Sequence, residues 1–263
     1  MMRRCLTVLA LGCAVLFHGP TAAVAQLSSF AVLGGSTVTN TNTPTIVTGN
    51  LGVSPGSAVT GFPPGIVTGG TIHAADAVAA QAQSDLTQLY VNLASAPCNT
   101  DLTGQNLGGL TLTPGVYCFM SSAQLTGTLT LDGQGNPNAL FIFKIGSSLT
   151  TASASAVLLI NSASSCGVFW QLGSSATLGT GTALAGSIVA LTSITLNTGT
   201  SLTGRALARN GAVTLDDNHV SVCSGGPGFP PPFTIPTLSE WALVVLTVLL
   251  ILSGLTALRR RTT

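Results

Sequence analysis

The sequence predicts a mainly β fold, a β-solenoid carrying one long helix, held between two targeting segments. Three observations predict it. Short β-prone runs recur at an interval near 20 residues, one stretch has helical periodicity, and both chain ends are apolar runs flanked by arginine.

The repeat is the strongest of the three. Ile194-Thr195-Leu196-Asn197-Thr198-Gly199-Thr200 aligns with Ala176-Thr177-Leu178-Gly179-Thr180-Gly181-Thr182 and with Val213-Thr214-Leu215. Looser copies stand at Leu129-Thr130-Leu131 and Leu149-Thr150-Thr151. A period of this length, with one or more strands per turn, is the mark of a solenoid. An ordinary β-sandwich also gives short strands at regular spacing, but the in-register Thr-Leu pairs favour the solenoid. Side chains alternate along a strand, so Leu131, Leu178, Leu196 and Leu215 are expected inward. Thr130, Thr150, Thr177, Thr195 and Thr214 are then expected outward, as one ladder; Thr151 breaks the inward row.

From His73 to Ala96 apolar residues fall at Ala75, Val78, Ala79, Ala82, Leu86, Leu89, Tyr90 and Leu93, in steps of three and four. That spacing predicts a helix with one apolar face, laid along something apolar. Asp76 is placed in its first turn, where the helix dipole favours a negative charge, and Pro97 ends it.

At the amino end, Arg3 and Arg4 precede an apolar run from Cys5 to Phe17, and Ala23-Val24-Ala25 fits a leader cleavage site. Residues 1–25 are therefore expected to be a signal peptide, leaving Gln26 first. At the carboxyl end a Pro/Gly-rich stretch (224–234) is expected to act as a linker. It leads to Ile235-Pro236-Thr237-Leu238, an apolar run over 241–258, and Arg259-Arg260-Arg261. Eighteen residues of helix make about 27 Å, enough for a thin bilayer core, with the arginines on the cytoplasmic side. Box, membrane helix and basic tail resemble the IPTL class of bacterial sorting signals. That resemblance implies a sorting protease of the exosortase type, an inner-membrane-anchored precursor, and delivery to the cell surface or beyond.

Between these segments charge is sparse. Residues 26–230 hold Lys144, Arg205 and Arg209 against Asp76, Asp85, Asp101, Asp132, Asp216 and Asp217, a net charge of −3. With no basic patch there is no source for the phosphate neutralisation that drives nucleic-acid binding. Cys98, Cys118, Cys166 and Cys223 remain after the leader, an even number in an oxidising compartment, and four cysteines allow three connectivities. Cys98–Cys118 with Cys166–Cys223 is favoured, because the first would tie the helix end to the next strand. No Cys-x-x-Cys knuckle suggests zinc, and no cofactor is expected.

Several blocks then resemble the ice-binding-like domain family. They are Ser29-Phe30-Ala31-Val32-Leu33-Gly34-Gly35-Ser36, Gly49-Asn50-Leu51-Gly52-Val53-Ser54-Pro55-Gly56, His73-Ala74-Ala75-Asp76-Ala77 and Leu112-Thr113-Pro114-Gly115-Val116-Tyr117. Ala139 to Phe143 and Gly204 to Leu215 continue the match, which runs from about Leu27 to Cys223, within an expected folded domain of residues 26–223. The resemblance implies a discontinuous β-solenoid of triangular section with one long helix packed alongside. It also implies binding to an ice crystal surface through a face of Thr, Ser and similar small residues, for which the ladder above is the candidate.

Enzymatic chemistry finds little support. Asp216 and Asp217 are adjacent, so on a strand they point to opposite faces, whereas paired acid and base work needs two carboxyls in one cleft. A turn with satisfied side-chain hydrogen bonds suits them better. His219 reads as a surface residue, and His73 as a hydrogen-bond partner of nearby backbone. No Gly-x-Ser-x-Gly elbow or phosphate-binding loop occurs. The expected function is a secreted, non-catalytic ice-binding protein. The alternative is a cell-surface or biofilm-matrix structural protein with the same fold and no strong ice affinity.

Overall fold

The computed structural model describes residues 24–41, 44–225 and 227–231. The leader through residue 23, the box 235–238 and the apolar run 241–258 lie outside them. Among the described residues no helix is long and apolar enough to cross a membrane.

Parallel strands stack into three faces. Helix α1 (Val24–Leu27) is a single turn, and α2 (Ala77–Ser95) lies along one face. This helix face runs, from one end of the solenoid to the other, through Ile72–Ala74, Asn50–Val53 and Phe30–Gly34. It continues through the second halves of Ser201–Ala208 and Ala183–Ala190, then Val168–Leu172, Phe141–Ile145, Gly115–Phe119 and Thr100–Asp101. A seven-stranded face runs through Ala58–Thr60, Thr37–Asn40, Val213–Leu215, Ile194–Leu196, Ala176–Leu178, Leu149–Thr151 and Ala123–Leu125. The third, broad face takes Ile66–Thr68, Ile46–Thr48, His219–Ser221 and the first halves of the two eight-residue strands. Ala156–Ile160, Thr128–Asp132 and Thr111–Leu112 complete it.

The order in space is not the order in sequence. The coil of residues 30–48 lies between the coil of 50–68 and the last coil, 205–221. The chain starts one coil in from an end, winds out to that end, crosses to the far end along α2, and winds back to dock on its own beginning. Nineteen helical residues span about 28 Å. Six strand spacings, the distance from Ile72–Ala74 to Phe141–Ile145, come to about 29 Å, so α2 matches the strands it contacts.

The helix begins later than its apolar spacing predicts. Ile72, His73 and Ala74 pair with Leu51, Gly52 and Val53 and so belong to a strand. Asp76 is the N-cap rather than a first-turn residue, its Oδ1 accepting from Ala79 N at 2.8 Å. At the other end Lys144 Nζ donates to Ala96 O at 2.7 Å, placing a cation at the negative pole of the helix.

The interior is apolar. Leu131, Leu178, Leu196 and Leu215 are all fully buried, as expected from strand alternation. Tyr117, Phe143 and Trp170 occupy one register on successive strands and stack at centroid distances of 5.5 and 4.1 Å. The indole N–H donates to Ala185 O at 3.0 Å. Thr151, the break in the leucine row, points inward. Its hydroxyl meets that of Thr182 at 2.8 Å and accepts from Gly179 N, so no buried polar group there is orphaned. Both favoured disulfides are present, Cys98–Cys118 and Cys166–Cys223.

Two eight-residue strands pass from the broad face to the helix face without interruption, and glycine makes this possible. Gly186 and Gly204 pair across the corner at φ 110° and 151°. A Cβ on Gly204 would lie 2.0 Å from Gly186 O. Gly204→Ala is therefore expected to destabilise the domain by about 3 kcal/mol or more, through both strain and the backbone clash. Urea unfolding followed by circular dichroism measures it. Thr203→Ala, next to it and outward, is expected to stay within about 0.5 kcal/mol of the parent.

Candidate functional site

Five strands of the seven-stranded face are three residues long with a single outward position each; Thr37–Asn40 and Ala58–Thr60, at one end, have two, Thr37 with Thr39 and Ala58 with Thr60. Hydrogen-bonded register places Gln124, Thr150, Thr177, Thr195, Thr214, Thr39 and Thr60 side by side. Six consecutive threonines thus form one row about 24 Å long at the usual interstrand spacing. Their β-branched side chains are stiff at χ1, so each methyl and hydroxyl is held in place before anything binds. Thr60 Oγ1 donates to Thr39 Oγ1 at 3.2 Å, which ties the last two rungs together.

This row corrects the ladder read from the repeat at one position. Thr150, Thr177, Thr195 and Thr214 share the face as expected, whereas Thr130 pairs with Thr111 and Leu158 on the broad face. The rung that the repeat assigned to Thr130 holds Gln124. Thr39 and Thr60 extend the row beyond the repeat, because the first two coils stack beyond the last one and no sequence interval reveals that.

A second rank runs beside the threonines. The corner before each strand stacks through backbone bonds: Ser147 N to Ser121 O, Ser174 N to Ser147 O, Thr192 N to Ser174 O, Gly211 N to Thr192 O, and Ser36 N to Gly211 O. Hydroxyls one residue further on reinforce it, Ser175 Oγ accepting from Ser193 N and Ser193 Oγ from Ala212 N. This corner carries the small side chains of Ser121, Ser147, Ser174, Thr192 and Ser36, with Gly211 standing between Thr192 and Ser36. Neither rank includes a charged residue.

The other two faces differ. α2 covers the helix face. The broad face has two outward positions on most strands, among them Ser201, Thr203, Thr48 and Thr68, but it also exposes His219, Ile66 and Leu158. Ala156–Ile160 meets its neighbour only at Ala156↔Ala183. Beyond that pair the strands part and leave a groove of about 220 Å³ lined by Val157, Leu159, Leu184 and Thr203 among others.

The charged residues are spent on structure. Asp216 and Asp217 sit in the turn after Val213–Leu215, Asp217 at φ 53°. Asp216 Oδ2 accepts from Thr198 Oγ1 at 2.5 Å, while Asn218 Oδ1 accepts from Asp216 N. His73 bonds side chains rather than backbone. Its Nε2 lies 2.9 Å from Thr71 Oγ1 and its Nδ1 2.7 Å from Asp76 Oδ2. The helix N-terminus and this histidine hold the Asp76 carboxyl below the usual carboxylate range. Arg205 is buried, its guanidinium pushed down to about 10 by desolvation, and donates to Ser28 O and Ser187 Oγ. Its guanidinium lies 5.0 Å from the ring centre of Phe229, which packs tilted against Phe169. The first part of the expected linker is therefore docked on the domain, near the corner between helix and broad faces. Among the described residues no cluster of three or more His, Cys, Asp or Glu side chains could hold a metal ion.

Comparison with known proteins gives this architecture a family. The ice-binding-like family model matches residues 32–221, and the IPTL-CTERM motif matches residues 234–261. An ice-binding protein of Nostoc sp. (strain HG1) is 64% identical over 195 residues, covering 74% of this chain and 71% of the relative. An ice-binding protein of Colwellia sp. is 32% identical over 222 residues, covering 79% and 86%. The crystal structure of an ice binding protein from an Antarctic biological consortium superposes with a TM-score of 0.73 at 45% identity, over 76% of this chain and 90% of that one. That of the Antarctic ascomycete Antarctomyces psychrotrophicus does so at 0.74 and 37%, over 77% and 98%. A parallel solenoid with a helix along one face, matched over most of its length by model, sequence and structure, makes this chain a member of the ice-binding-like family.

Proposed function

We propose that this protein binds ice through its threonine face, as an exported protein acting without catalysis. The observation that carries this reading is the unbroken row Thr150, Thr177, Thr195, Thr214, Thr39 and Thr60, with its parallel rank of small residues, hydroxyl-bearing except at Gly211. An ice surface presents water at fixed positions. A rigid array of methyls and hydroxyls orders the water next to it without losing much side-chain entropy on contact. Charge would work against this, since ions hold their own hydration shells, and the rank has none. The relatives named above, all called ice-binding proteins, support the reading. The groove and the exposed histidine make the broad face a poorer match to a flat lattice.

The two described ends of the domain lie away from the threonine face. Ser28 and Phe229, at either end of the folded domain, both meet at Arg205, away from that face. The IPTL-CTERM match supports delivery to the cell surface, with residues 1–25 as the leader, 26–223 as the ice-binding domain and 241–258 as a transient membrane segment. An exosortase-type protease is the reading's processing partner.

Thr177→Tyr and Thr195→Tyr are expected to keep the circular dichroism of the parent, because both side chains point outward. Each is expected to cut thermal hysteresis and ice-recrystallisation inhibition at least tenfold, since a ring lifts the face off the lattice. Thr203→Tyr on the broad face is the control and is expected to retain activity. Loss with Thr203→Tyr alone would move the site to the broad face. An inactive but folded parent would favour a structural role at the cell surface.

Processing has its own check. Pro236→Ala with Thr237→Ala is expected to leave the protein in the inner-membrane fraction with its tail intact. Normal release of this variant, followed by mass spectrometry of the C-terminus, would reduce the segment to a plain anchor.

A further inference from the structure

Asp85 is an acid that the fold buries without a cation. It is 4% exposed on α2. Its Oδ1 accepts from Gln81 Nε2 at 2.8 Å, but its Oδ2 is buried and receives no hydrogen bond. A buried carboxylate oxygen left without a donor is costly, and native folds rarely keep one. Burial accordingly pushes this carboxyl above the ordinary carboxylate range. The three basic side chains of the domain are engaged elsewhere. Lys144 caps α2, Arg205 holds Ser28 O, and Arg209 lies over Tyr90 and reaches Thr87.

The position of Asp85 narrows the choice of partner. One flank of α2 faces residues 208–209, through Gln83 to Ala208 O and Arg209 to Thr87. At 100° per residue Asp85 stands about 160° from Thr87, on the opposite flank. On α2 it would be open to solvent unless something covered it. Among the described helices and strands, the element packed on α2 outside the sheet is α1, Val24–Leu27; Phe229 also packs on the same apolar cluster. Leu27 is fully buried in the cluster that holds Ala82, Leu86 and Leu89, and the next residue, Ser28, is pinned by Arg205. Cleavage after Ala25 removes the first half of this turn, but Leu27 and Ser28 remain anchored, and Gln26 is therefore held beside α2, one residue before Leu27.

We propose that Asp85 is the partner of the α-ammonium created at Gln26 when the leader is removed. This rests on the reading of residues 1–25 as a signal peptide. Hydrolysis of the Ala25–Gln26 bond by a leader peptidase adds water, leaving a carboxylate on Ala25 and an amine on Gln26, which takes up a proton. Before the cut, the nitrogen of residue 26 is a neutral peptide N–H. After it, the same atom carries a charge and three donors. Removal of the leader then completes the contact between the N-terminus and α2, and the mature domain is tighter than its precursor.

The chemistry of an N-terminal glutamine supplies the test. Its free amine attacks its own side-chain amide, closing pyroglutamate and releasing ammonia, whereas an ammonium held by a carboxylate does not attack. Exported full-length-derived protein, parent and Asp85→Asn, is incubated folded, and the N-terminal peptide is followed by mass spectrometry. The parent is expected to cyclise at least about tenfold more slowly, the effect of one unit on the amine's ionisation. Glutaminyl cyclase treatment, which removes the ammonium, is expected to lower the Tm of the parent by about 5 °C and to leave Asp85→Asn unchanged. If Asp85→Asn does not fold, the folded parent against its urea-unfolded form gives the same rate comparison. Equal rates, or equal Tm losses in both proteins, overturn the pairing. An exported chain that begins elsewhere than Gln26 overturns the leader reading instead, and the proposal with it.

Discussion

Everything in this molecule depends on the hydrogen-bonded register between neighbouring coils. Parallel stacking at about 4.8 Å does three things at once. It satisfies the backbone of many very short strands, which could not persist alone. It brings residues of like position into columns, leucines inside and threonines outside. It fixes the spacing of any outward array to the strand spacing, so a regular surface follows from a regular interior.

The interior tolerates this regularity because polar exceptions are paired. Thr151 and Thr182 bond to each other, Ser155 Oγ donates to Leu125 O, and Asn218 bonds Asn197 O. Charge is kept out of the leucine and threonine columns and set in turns, on α2 and on the helix-face strands, where it caps, clamps or orders turns. Asp76 and Lys144 fix the two ends of α2, and Arg205 gathers the N-terminal segment, the Cys166–Cys223 region and Phe229. An uncharged threonine face is thus the counterpart of a sparse charge set that is almost wholly used elsewhere.

The helix solves a topological problem. The first coils and the later coils would otherwise be separate stacks, each with an exposed edge ready to pair with another chain. By carrying the chain along the stack, α2 lets the last coil dock on the first, so Ser201–Ala208 pairs with Phe30–Gly34 and His219–Ser221 with Ile46–Thr48. This closure is long-range, and it completes the row Thr214, Thr39 and Thr60 across the junction.

The sequence by itself determined the solenoid, the long helix, the inward leucines and four of the threonines in the row. Each is written in local signals: alternation, a period near 20, and steps of three and four. The cysteine count left three connectivities open, and the structure selects Cys98–Cys118 with Cys166–Cys223. Tertiary structure decided the rest. The order of coils placed Thr39 and Thr60 beside Thr214, two widely separated stretches that no repeat interval connects. Pairing with Asn50–Val53 turned His73 from helix to strand, although its neighbours fit a helical pattern equally well. Thr130 carries the same Thr-Leu pair as Thr177 and Thr195, yet it sits on another face, because every face of a solenoid is built from the same alternation. Local pattern says which side of a strand is outward; only the path of the chain around the core says which face that outward side belongs to.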